Sequence, residues 1–163
     1  MKLVPWSHVK YWGCVRCGRC CRHTTVQLTT PEWLMLVKAY GYGIVEQNIS
    51  GFYLKKTVDD HCLFLSKSLT AWACRLQRKK PLACKLWPFR IRGDPRFGHE
   101  DEAHYKYRNH DFYIYAYPQC PGIQLGKPST LFSHKVLPEF LNIRLGFQNG
   151  QIHSTSKLRP MPY

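Results

Sequence analysis

The sequence predicts a small, single α+β domain with short strands and two or three helices organised around its cysteines. Three observations lead to this prediction. The chain has 163 residues, which fits one domain. Helical and alternating apolar patterns both occur along it. Its eight cysteines are confined to residues 14–120. At this length about 70% of the unfolded chain's surface can be buried, so a hydrophobic core can form without disulfides.

One helix is predicted for residues 30–40. Thr30 is a suitable N-cap, Pro31 takes the first helical position, and Glu32 lies in the first turn, where the helix dipole favours a carboxylate. Apolar side chains then recur at helical spacing until Gly41. The pattern therefore gives both ends of this helix.

Short strands are predicted between residues 45 and 72 and again in 104–117. In the second segment tyrosines occupy alternate positions, so one continuous strand would place all of them on one face of a sheet. Asn109 and His110 are the candidate hairpin turn. Residues 81–95 are rich in proline and predict loops.

The end of the chain divides into a second helix and a tail. The helix is predicted to begin at Ser129 or Thr130, with Pro138 kinking or restarting it. Residues 148–163 are polar and lack periodicity. We therefore predict a cysteine-cluster domain over 1–147 and a basic, extended tail over 148–163.

Positive charge dominates the composition. The chain has 24 Lys and Arg against 10 Asp and Glu, a formal net charge of +14. Such a field favours a polyanionic partner through counterion release, and RNA or a ribonucleoprotein is the partner that we predict. A basic surface without a ligand is the alternative, and a protein partner also remains open.

The candidate nucleic-acid contacts are basic side chains between two cysteines, basic and aromatic side chains of the tyrosine-rich segment, and two cations of the tail. Aromatic rings beside cations can stack bases and hold phosphates. Packing of the tyrosines in a half-buried sheet is the alternative. The residues are Arg75, Arg78, Lys79, Lys80, Lys85, Lys106, Arg108, Tyr113, Tyr115, Lys157 and Arg159.

Four cysteines within eight residues, Cys14, Cys17, Cys20 and Cys21, form the strongest motif. Two-residue spacers let successive thiolates converge on one centre, and Gly18 gives the backbone freedom that a tight loop requires. A C-x2-C-x2-C run is typical of iron–sulfur proteins, whereas paired C-x2-C knuckles are typical of zinc sites. The motif predicts a metal centre, with a 4Fe–4S cluster preferred and zinc as the alternative.

The other cysteines suggest how the ligands divide. Cys120 precedes Pro121, as the closing cysteine does in bacterial-type ferredoxins. Neighbours in an extended segment point to opposite sides, so we expect Cys20 and Cys21 to serve different centres. The hypothesis is one set of Cys14, Cys17, Cys20 and Cys120 and a second set of Cys21, Cys62, Cys74 and Cys84. A single centre with structural thiols, or a zinc site completed by His23 or His61, stays open.

Two other uses of the cysteines are less well supported. A disulfide framework would suit an exported protein, but the first ten residues contain charges and a proline where a signal peptide needs an apolar run. A catalytic cysteine would need a base that the sequence cannot place. No stretch is long and apolar enough to span a bilayer, and we expect a cytoplasmic protein.

The motifs together resemble the CxxCxxCC, or YkgJ-like, family of zinc- or iron-chelating domains. The resemblance rests on Cys14-x2-Cys17-x2-Cys20-Cys21, on Leu28-Thr29 with Glu32, on Cys62-x2-Leu65, on Cys74-x6-Pro81-x2-Cys84 with Trp87-Pro88-Phe89, and on Cys120-Pro121-Gly122. Lys80 stands where the family has arginine. The resemblance implies a small metal- or cluster-binding domain and a relation to flagellin lysine methylases.

The sequence therefore predicts a basic, metal-dependent binding module associated with RNA. A cluster-dependent redox or group-transfer enzyme, similar to the lysine methylases, is the first alternative. A purely structural zinc protein is the second. Methyl transfer lacks sequence support, because no glycine-rich loop for a methyl donor follows a strand.

Overall fold

The computed structural model describes residues 2–22, 24–67, 71–76 and 79–153. It confirms the α+β class. The chain forms two compact units. We call Arg16–Lys85 the cysteine unit, and Met1–Val15 with Leu86–Tyr163 the sheet unit. The predicted boundary between a domain and a tail at residue 148 stays a prediction. No helix in the described part of the chain is long and apolar enough to cross a membrane.

The helices and strands are short. The α-helices found in the described residues are α1 (Arg19–Arg22), α2 (Thr30–Tyr40), α3 (Leu82–Leu86), α4 (Glu100–Ala103) and α5 (Leu137–Arg144). The strands are β1 (Val4–Pro5), β2 (Val9–Trp12), β3 (Gln27–Leu28), β4 (Val45–Asn48), β5 (Gly51–Leu54), β6 (Leu65–Lys67), β7 (Trp72–Cys74), β8 (Phe89–Arg92), β9 (His104–Tyr107), β10 (His110–Ala116) and β11 (Ile123–Leu125).

The cysteine unit combines α2 with two small antiparallel sheets. One sheet has the strand order β3-β5-β4, and the other is the hairpin β6-β7. Leu36 of α2 is fully buried, and it packs with Leu28, Leu54, Phe64 and Leu76 in one core cluster. Cysteines border this same cluster, so the core of the unit and its thiols form one neighbourhood.

The predicted helix over 30–40 is confirmed, but its cap lies one residue earlier. Thr29, not Thr30, is the N-cap, and it forms a reciprocal capping box with Glu32. The Thr29 N–H donates to Glu32 Oε2 at 2.9 Å, and the Glu32 N–H donates to Thr29 Oγ1 at 3.4 Å. A carboxylate three residues after the cap completes this motif, which is why Thr29 is preferred over its neighbour.

The sheet unit contains a four-stranded antiparallel sheet. Its order is β1-β10-β8, and β9 also pairs with β10. A second pair joins β2 to β11. The side chains of one sheet face, including Ile114, pack with the fully buried Phe132 and Phe140 from the helical segment. This is the principal core of the unit.

The tyrosine-rich segment is a hairpin, with its turn one residue earlier than predicted. Arg108 and Asn109 form the two-residue turn, and both have positive φ values, 46° and 61°. Two successive residues with positive φ make the type I′ turn that suits hairpins. The register pairs His110 with Tyr107 and Phe112 with Tyr105.

This register splits the tyrosines between the two sheet faces, so the prediction of a single tyrosine face is wrong. Tyr105 and Tyr107 face the helices, where their hydroxyls donate to the Ser133 carbonyl at 2.6 Å and to Asn142 Oδ1 at 2.9 Å. Tyr113 lies opposite His104 on the other face. Because the turn has two residues, odd-numbered residues of β9 pair with even-numbered residues of β10 and share a face with them.

The helix predicted to start at Ser129 or Thr130 is also present. Ser129 Oγ accepts the Phe132 N–H at 3.2 Å, and a π-helical turn over Phe132–Val136 leads into α5. The wider turn lies just before Pro138, which has no N–H to donate. Glu139 of α5 is buried, and its carboxylate accepts the N–H groups of Ile152 and His153, which follow the helix, at 2.8 and 2.7 Å.

Gly122 provides a test of the sheet unit, because there is no room for a side chain at this position. A Cβ there would lie 2.0 Å from the Gly13 carbonyl oxygen. We expect Gly122→Ala to lower the free energy of unfolding by about 2 kcal/mol, measured by urea denaturation. Gly93→Ala, where nothing lies within 4 Å of the added Cβ, should be nearly neutral. Equal effects of the two variants would contradict this account.

Candidate metal centre

A tight turn at Gly18 places two adjacent cysteines. Gly18 has φ +71°, and an added Cβ would lie 3.0 Å from Trp72, so the position requires glycine. The Gly18 carbonyl accepts the Cys21 N–H at 2.9 Å and starts α1. The backbone freedom expected at Gly18 is confirmed, and it brings Cys20 and Cys21 onto one helical turn.

Backbone hydrogen bonds bring three more cysteines to this turn. The Cys62 N–H donates to the Cys21 carbonyl at 2.8 Å. The Cys62 carbonyl accepts the Leu65 N–H and closes a turn. Cys74 lies in β7, directly opposite Leu65. Cys84 lies in α3, where its N–H donates to the Pro81 carbonyl at 2.9 Å. The positions of these thiols therefore depend on main-chain pairing.

The five cysteines line one small cavity, which we call the thiol cavity. Its volume is about 30 Å³, enough to hold at least one water molecule. Apolar side chains and one cation complete the wall. The lining residues are Cys20, Cys21, Cys62, Cys74, Cys84, Val26, Leu54, Leu76 and Lys80. A space of this size suits a single ion.

The structure brings the four cysteines of the expected second set, Cys21, Cys62, Cys74 and Cys84, to one cavity, but Cys20, expected in the first set, lines that cavity too. Cys20 and Cys21 line the same cavity, and their sulfur atoms lie 3.9 Å apart. The expectation assumed an extended backbone, in which neighbours point apart. Residues 19–22 form a helical turn instead, and neighbours on a helix differ in direction by only about 100°.

The thiols influence one another's ionisation. Hydrogen bonds with Cys20 and Cys74 raise the pKa of Cys21. The bond from Cys21 is the main reason that the pKa of Cys20 is lowered to about 7, and the charge of Lys80 lowers it further. Burial raises the pKa of Cys62 and of Cys84. The Cys20 thiolate is thus stabilised by its neighbours, whereas Cys21, Cys62 and Cys84 need a cation nearby to ionise.

The donor set fits a soft or borderline metal ion. Every candidate ligand in the cavity wall is sulfur, which zinc and iron accept and which magnesium and calcium do not favour. Four sulfurs at 2.3 Å from a tetrahedral zinc are about 3.8 Å apart, close to the Cys20–Cys21 separation of 3.9 Å. No three His, Cys, Asp or Glu side chains of the described residues already hold a metal-binding arrangement, so the remaining thiols must rotate inward.

The motif that builds this cavity also defines a family. A model described as "Putative zinc- or iron-chelating domain" matches residues 13–121, two thirds of the chain and all eight cysteines. The chain belongs to the CxxCxxCC family. The resemblance seen in the motifs is confirmed, and metal chelation by this CxxCxxCC domain is supported without a choice of metal. No curated protein and no solved structure matches the sequence.

Three cysteines of the CxxCxxCC domain do not line the thiol cavity. Cys17 belongs to the cysteine unit and is partly exposed. Cys14 and Cys120 belong to the sheet unit and pack in its core cluster, where Cys120 Sγ accepts the Trp12 indole N–H at 3.4 Å. Their roles as ligands stay predictions.

The histidines proposed as alternative ligands do not strengthen the site. His61 is not among the residues of the cavity wall. His23 lies outside the described residues. Lys80, which was predicted to contact nucleic acid, lies in the cavity wall instead, where its positive charge faces the thiols.

Glu32 is a positioning residue whose long-range role the sequence does not reveal. One carboxylate oxygen caps α2 through Thr29, as described above. The other oxygen, Oε1, accepts the Leu82 N–H at 2.5 Å, at the start of the turn that carries Cys84. One side chain thus joins α2 to α3, and only the recurrence of Thr29 and Glu32 in the family pattern hinted that Glu32 matters.

The other predicted nucleic-acid contacts are dispersed. Arg75 and Lys79 are exposed in the cysteine unit, although Arg75 Nη2 donates to the Leu63 carbonyl at 2.8 Å. Lys85 is half-buried. In the sheet unit Lys106 and Arg108 are exposed, and the Arg108 guanidinium lies 4.5 Å from the centre of the Phe147 ring. Arg78, Lys157 and Arg159 lie outside the described residues.

The two tyrosines predicted to stack bases are not free surface groups. Tyr115 is only 1% exposed, so the structure contradicts its role as an open stacking residue. Tyr113 is half-buried, and its hydroxyl donates to Glu100 at 3.3 Å. Phe97 and Gly98 contact Tyr115, and Glu100 at the start of α4 contacts Tyr113.

The double role of Glu32 gives a prediction about stability. We expect Glu32→Ala to lower the free energy of unfolding by about 2 kcal/mol, because it removes the acceptor for the Thr29 N–H in the capping box and the acceptor for the Leu82 N–H. Thr29→Ala removes only the cap and should cost about 1 kcal/mol. Urea denaturation measures both. If the two variants lose the same stability, the bond to Leu82 contributes nothing.

Proposed function

We propose that this protein chelates one zinc or iron ion at the thiol cavity, through four of the five thiolates of Cys20, Cys21, Cys62, Cys74 and Cys84. The observation that carries the proposal is the convergence of five sulfurs on one cavity of about 30 Å³. When bound, the ion supplies the positive charge that lets several buried thiols ionise together. The residues of the unit orient the sulfurs and exclude water.

A 4Fe–4S cluster is the second candidate. The C-x2-C-x2-C run of Cys14, Cys17 and Cys20 favours it. Cys14 and Cys17 do not line the thiol cavity. The two candidates therefore use different sets of thiols, which share Cys20.

Metal and sulfide analysis separates these candidates. For the single ion we expect anaerobically purified protein to contain about one zinc or iron per chain and no acid-labile sulfide. Inductively coupled plasma mass spectrometry and a sulfide assay measure this. Brown protein with stoichiometric sulfide, bleaching on reduction, would reject the single ion and support the cluster.

Serine variants test the ligand set. We expect Cys62→Ser or Cys84→Ser to lose most of the bound metal and several kcal/mol of stability, because metal binding closes distant segments of the unit. Cys17→Ser is the matched control, since Cys17 belongs to the same motif but does not line the cavity. Retention of metal by the Cys62 and Cys84 variants, or its loss only in the Cys17 variant, would contradict the assignment.

We also propose that the protein binds RNA, with the metal centre stabilising the binding module. The net charge of +14 supports this proposal, because a positive field attracts phosphates and releases their counterions. The exposed Arg75 and Lys79 add positive charge to the cysteine unit. RNA is the partner that this charge favours.

Salt dependence tests the RNA proposal. We expect the logarithm of the affinity for single-stranded RNA to fall linearly with the logarithm of salt concentration, by about 0.7 per phosphate contacted. Fluorescence anisotropy at several salt concentrations measures the slope. Lys79→Ala should flatten it while leaving metal content unchanged. Binding that does not respond to salt would contradict an interaction through phosphates.

A further inference from the structure

One face of the four-stranded sheet in the sheet unit carries arginines and tyrosines. The pairing of β10 with β8 sets Tyr113 opposite Arg92 and Tyr115 opposite Arg90. Directly paired residues share a face, so these four side chains lie together, and we call them the tyrosine–arginine face. The opposite face, which includes Ile114, packs in the core.

An acidic segment lies against this face. We call residues 94–102 the acidic strap, since they hold four of the chain's ten carboxylates. Asp94 Oδ1 accepts from Arg92 Nε at 2.7 Å. Glu100 Oε1 accepts from the Tyr113 hydroxyl at 3.3 Å. The strap thus places a carboxylate on one arginine and another on one tyrosine of the face.

The middle of the acidic strap covers the second tyrosine. The Phe97 ring meets the Tyr115 ring edge to face, with 5.2 Å between ring centres. The Tyr115 hydroxyl donates to the Gly98 carbonyl at 2.7 Å. These contacts leave Tyr115 only 1% exposed, although Phe97 itself is 44% exposed. An exposed phenyl ring therefore buries a tyrosine that a bare sheet face would display.

The end of the acidic strap is tied down by histidines. Glu102 Oε1 lies 2.8 Å from His8 Nε2, and Glu102 Oε2 lies 2.7 Å from His99 Nδ1. All these groups are substantially exposed to solvent, and exposed ion pairs contribute little stability. This end of the strap is therefore held by exposed contacts that a competing ligand can replace.

We propose that the acidic strap is an internal competitor, and that single-stranded RNA binds the tyrosine–arginine face when the strap is displaced. The strap's contacts have the same chemistry as those of such a ligand, with an anion on Arg92 and an aromatic ring on Tyr115. Phosphates bind arginine and bases stack on tyrosine in single-strand complexes. This inference rests on the RNA binding proposed above and names its surface.

The surroundings of the face favour RNA over an acidic protein. Tyr117 extends the row of β10 tyrosines, its hydroxyl accepts from Arg90 Nε at 2.8 Å, and its ring stacks on Trp87 at 4.8 Å. Lys106 is exposed on the same face, opposite Asp111 in the register. Consecutive aromatic rings beside cations fit bases and phosphates, whereas an acidic peptide would use the cations alone.

The test compares a released variant with a charge-matched control. The released variant carries Asp94→Asn, Phe97→Ser and Glu100→Gln, and the control carries Glu46→Gln and Asp59→Asn, two exposed acids of the cysteine unit. Both variants gain two positive charges overall. The probe is a fluorescein-labelled, single-stranded oligouridine, and its affinity is measured by anisotropy over a range of salt concentrations.

We expect the released variant to bind about tenfold more tightly than the control, with a salt slope steeper by about 0.7 for each phosphate gained. Adding Tyr113→Ala to the released variant should remove about tenfold in affinity, the loss of one stacked base. Glu100→Gln alone, at an exposed position, should give part of the gain if the triple variant folds poorly. Asp101→Asn is its control, since Asp101 shares the turn but bonds none of the face residues in the described structure.

Four outcomes would overturn the inference. Equal affinity of the released and control variants shows that the strap does not compete. An equal gain for polyglutamate shows a face that recognises charge alone. Absence of oligouridine binding in every variant rejects both RNA proposals, and an unchanged metal content in the same preparations would then leave the metal proposal standing. If the wild-type protein binds oligouridine and the released variant binds it no more tightly, only the competition by the strap is rejected, and the RNA proposal stands.

Discussion

The convergence of the five thiols depends on the helical turn that Gly18 begins. The left-handed backbone at Gly18 allows α1 to follow the cysteine run immediately, and the close packing of Trp72 leaves no room for a side chain there. The turn exposes the Cys21 carbonyl to the Cys62 N–H. A single main-chain conformation thus sets the direction of two thiols and the docking point of a third.

Burial of the thiols explains why this arrangement suits a metal. Val26, Leu54 and Leu76 line the cavity, and desolvation opposes ionisation of Cys62 and Cys84. Lys80 supplies a single positive charge in the wall. A divalent ion can offset several thiolates at once, so the apolar wall makes the site dependent on its metal, and the free energy of binding becomes free energy of folding.

How much could be predicted from the sequence depended on whether the signal was local. The helix over 30–40 could be predicted because its cap, proline and apolar spacing all lie within one segment. The hairpin could be predicted too, but a turn of two residues pairs odd-numbered positions of β9 with even-numbered positions of β10. Tyr105 and Tyr107 therefore lie on the face opposite Tyr113, and the prediction of a single tyrosine face failed because it assumed one continuous strand. The unexpected position of Cys20, in the same cavity as Cys21, had the same origin, because an extended backbone was assumed where residues 19–22 form a helical turn. The bond from Glu32 to Leu82 spans fifty residues, and no local pattern encodes it.

The contacts of the acidic strap suggest why acidic side chains are concentrated at one place in a strongly basic chain. A tethered group competes with a free ligand at a high effective concentration, so in the proposed competition the carboxylate of Asp94 can offset the charge of Arg92 although the chain as a whole carries a net charge of +14. Counterion release on binding RNA grows with the number of phosphates held, whereas the strap offers Arg92 a single carboxylate. A long polyanion therefore gains from contacts that the strap cannot match, and a short anion does not. Selection by length follows from the covalent structure of the competitor and needs no base recognition.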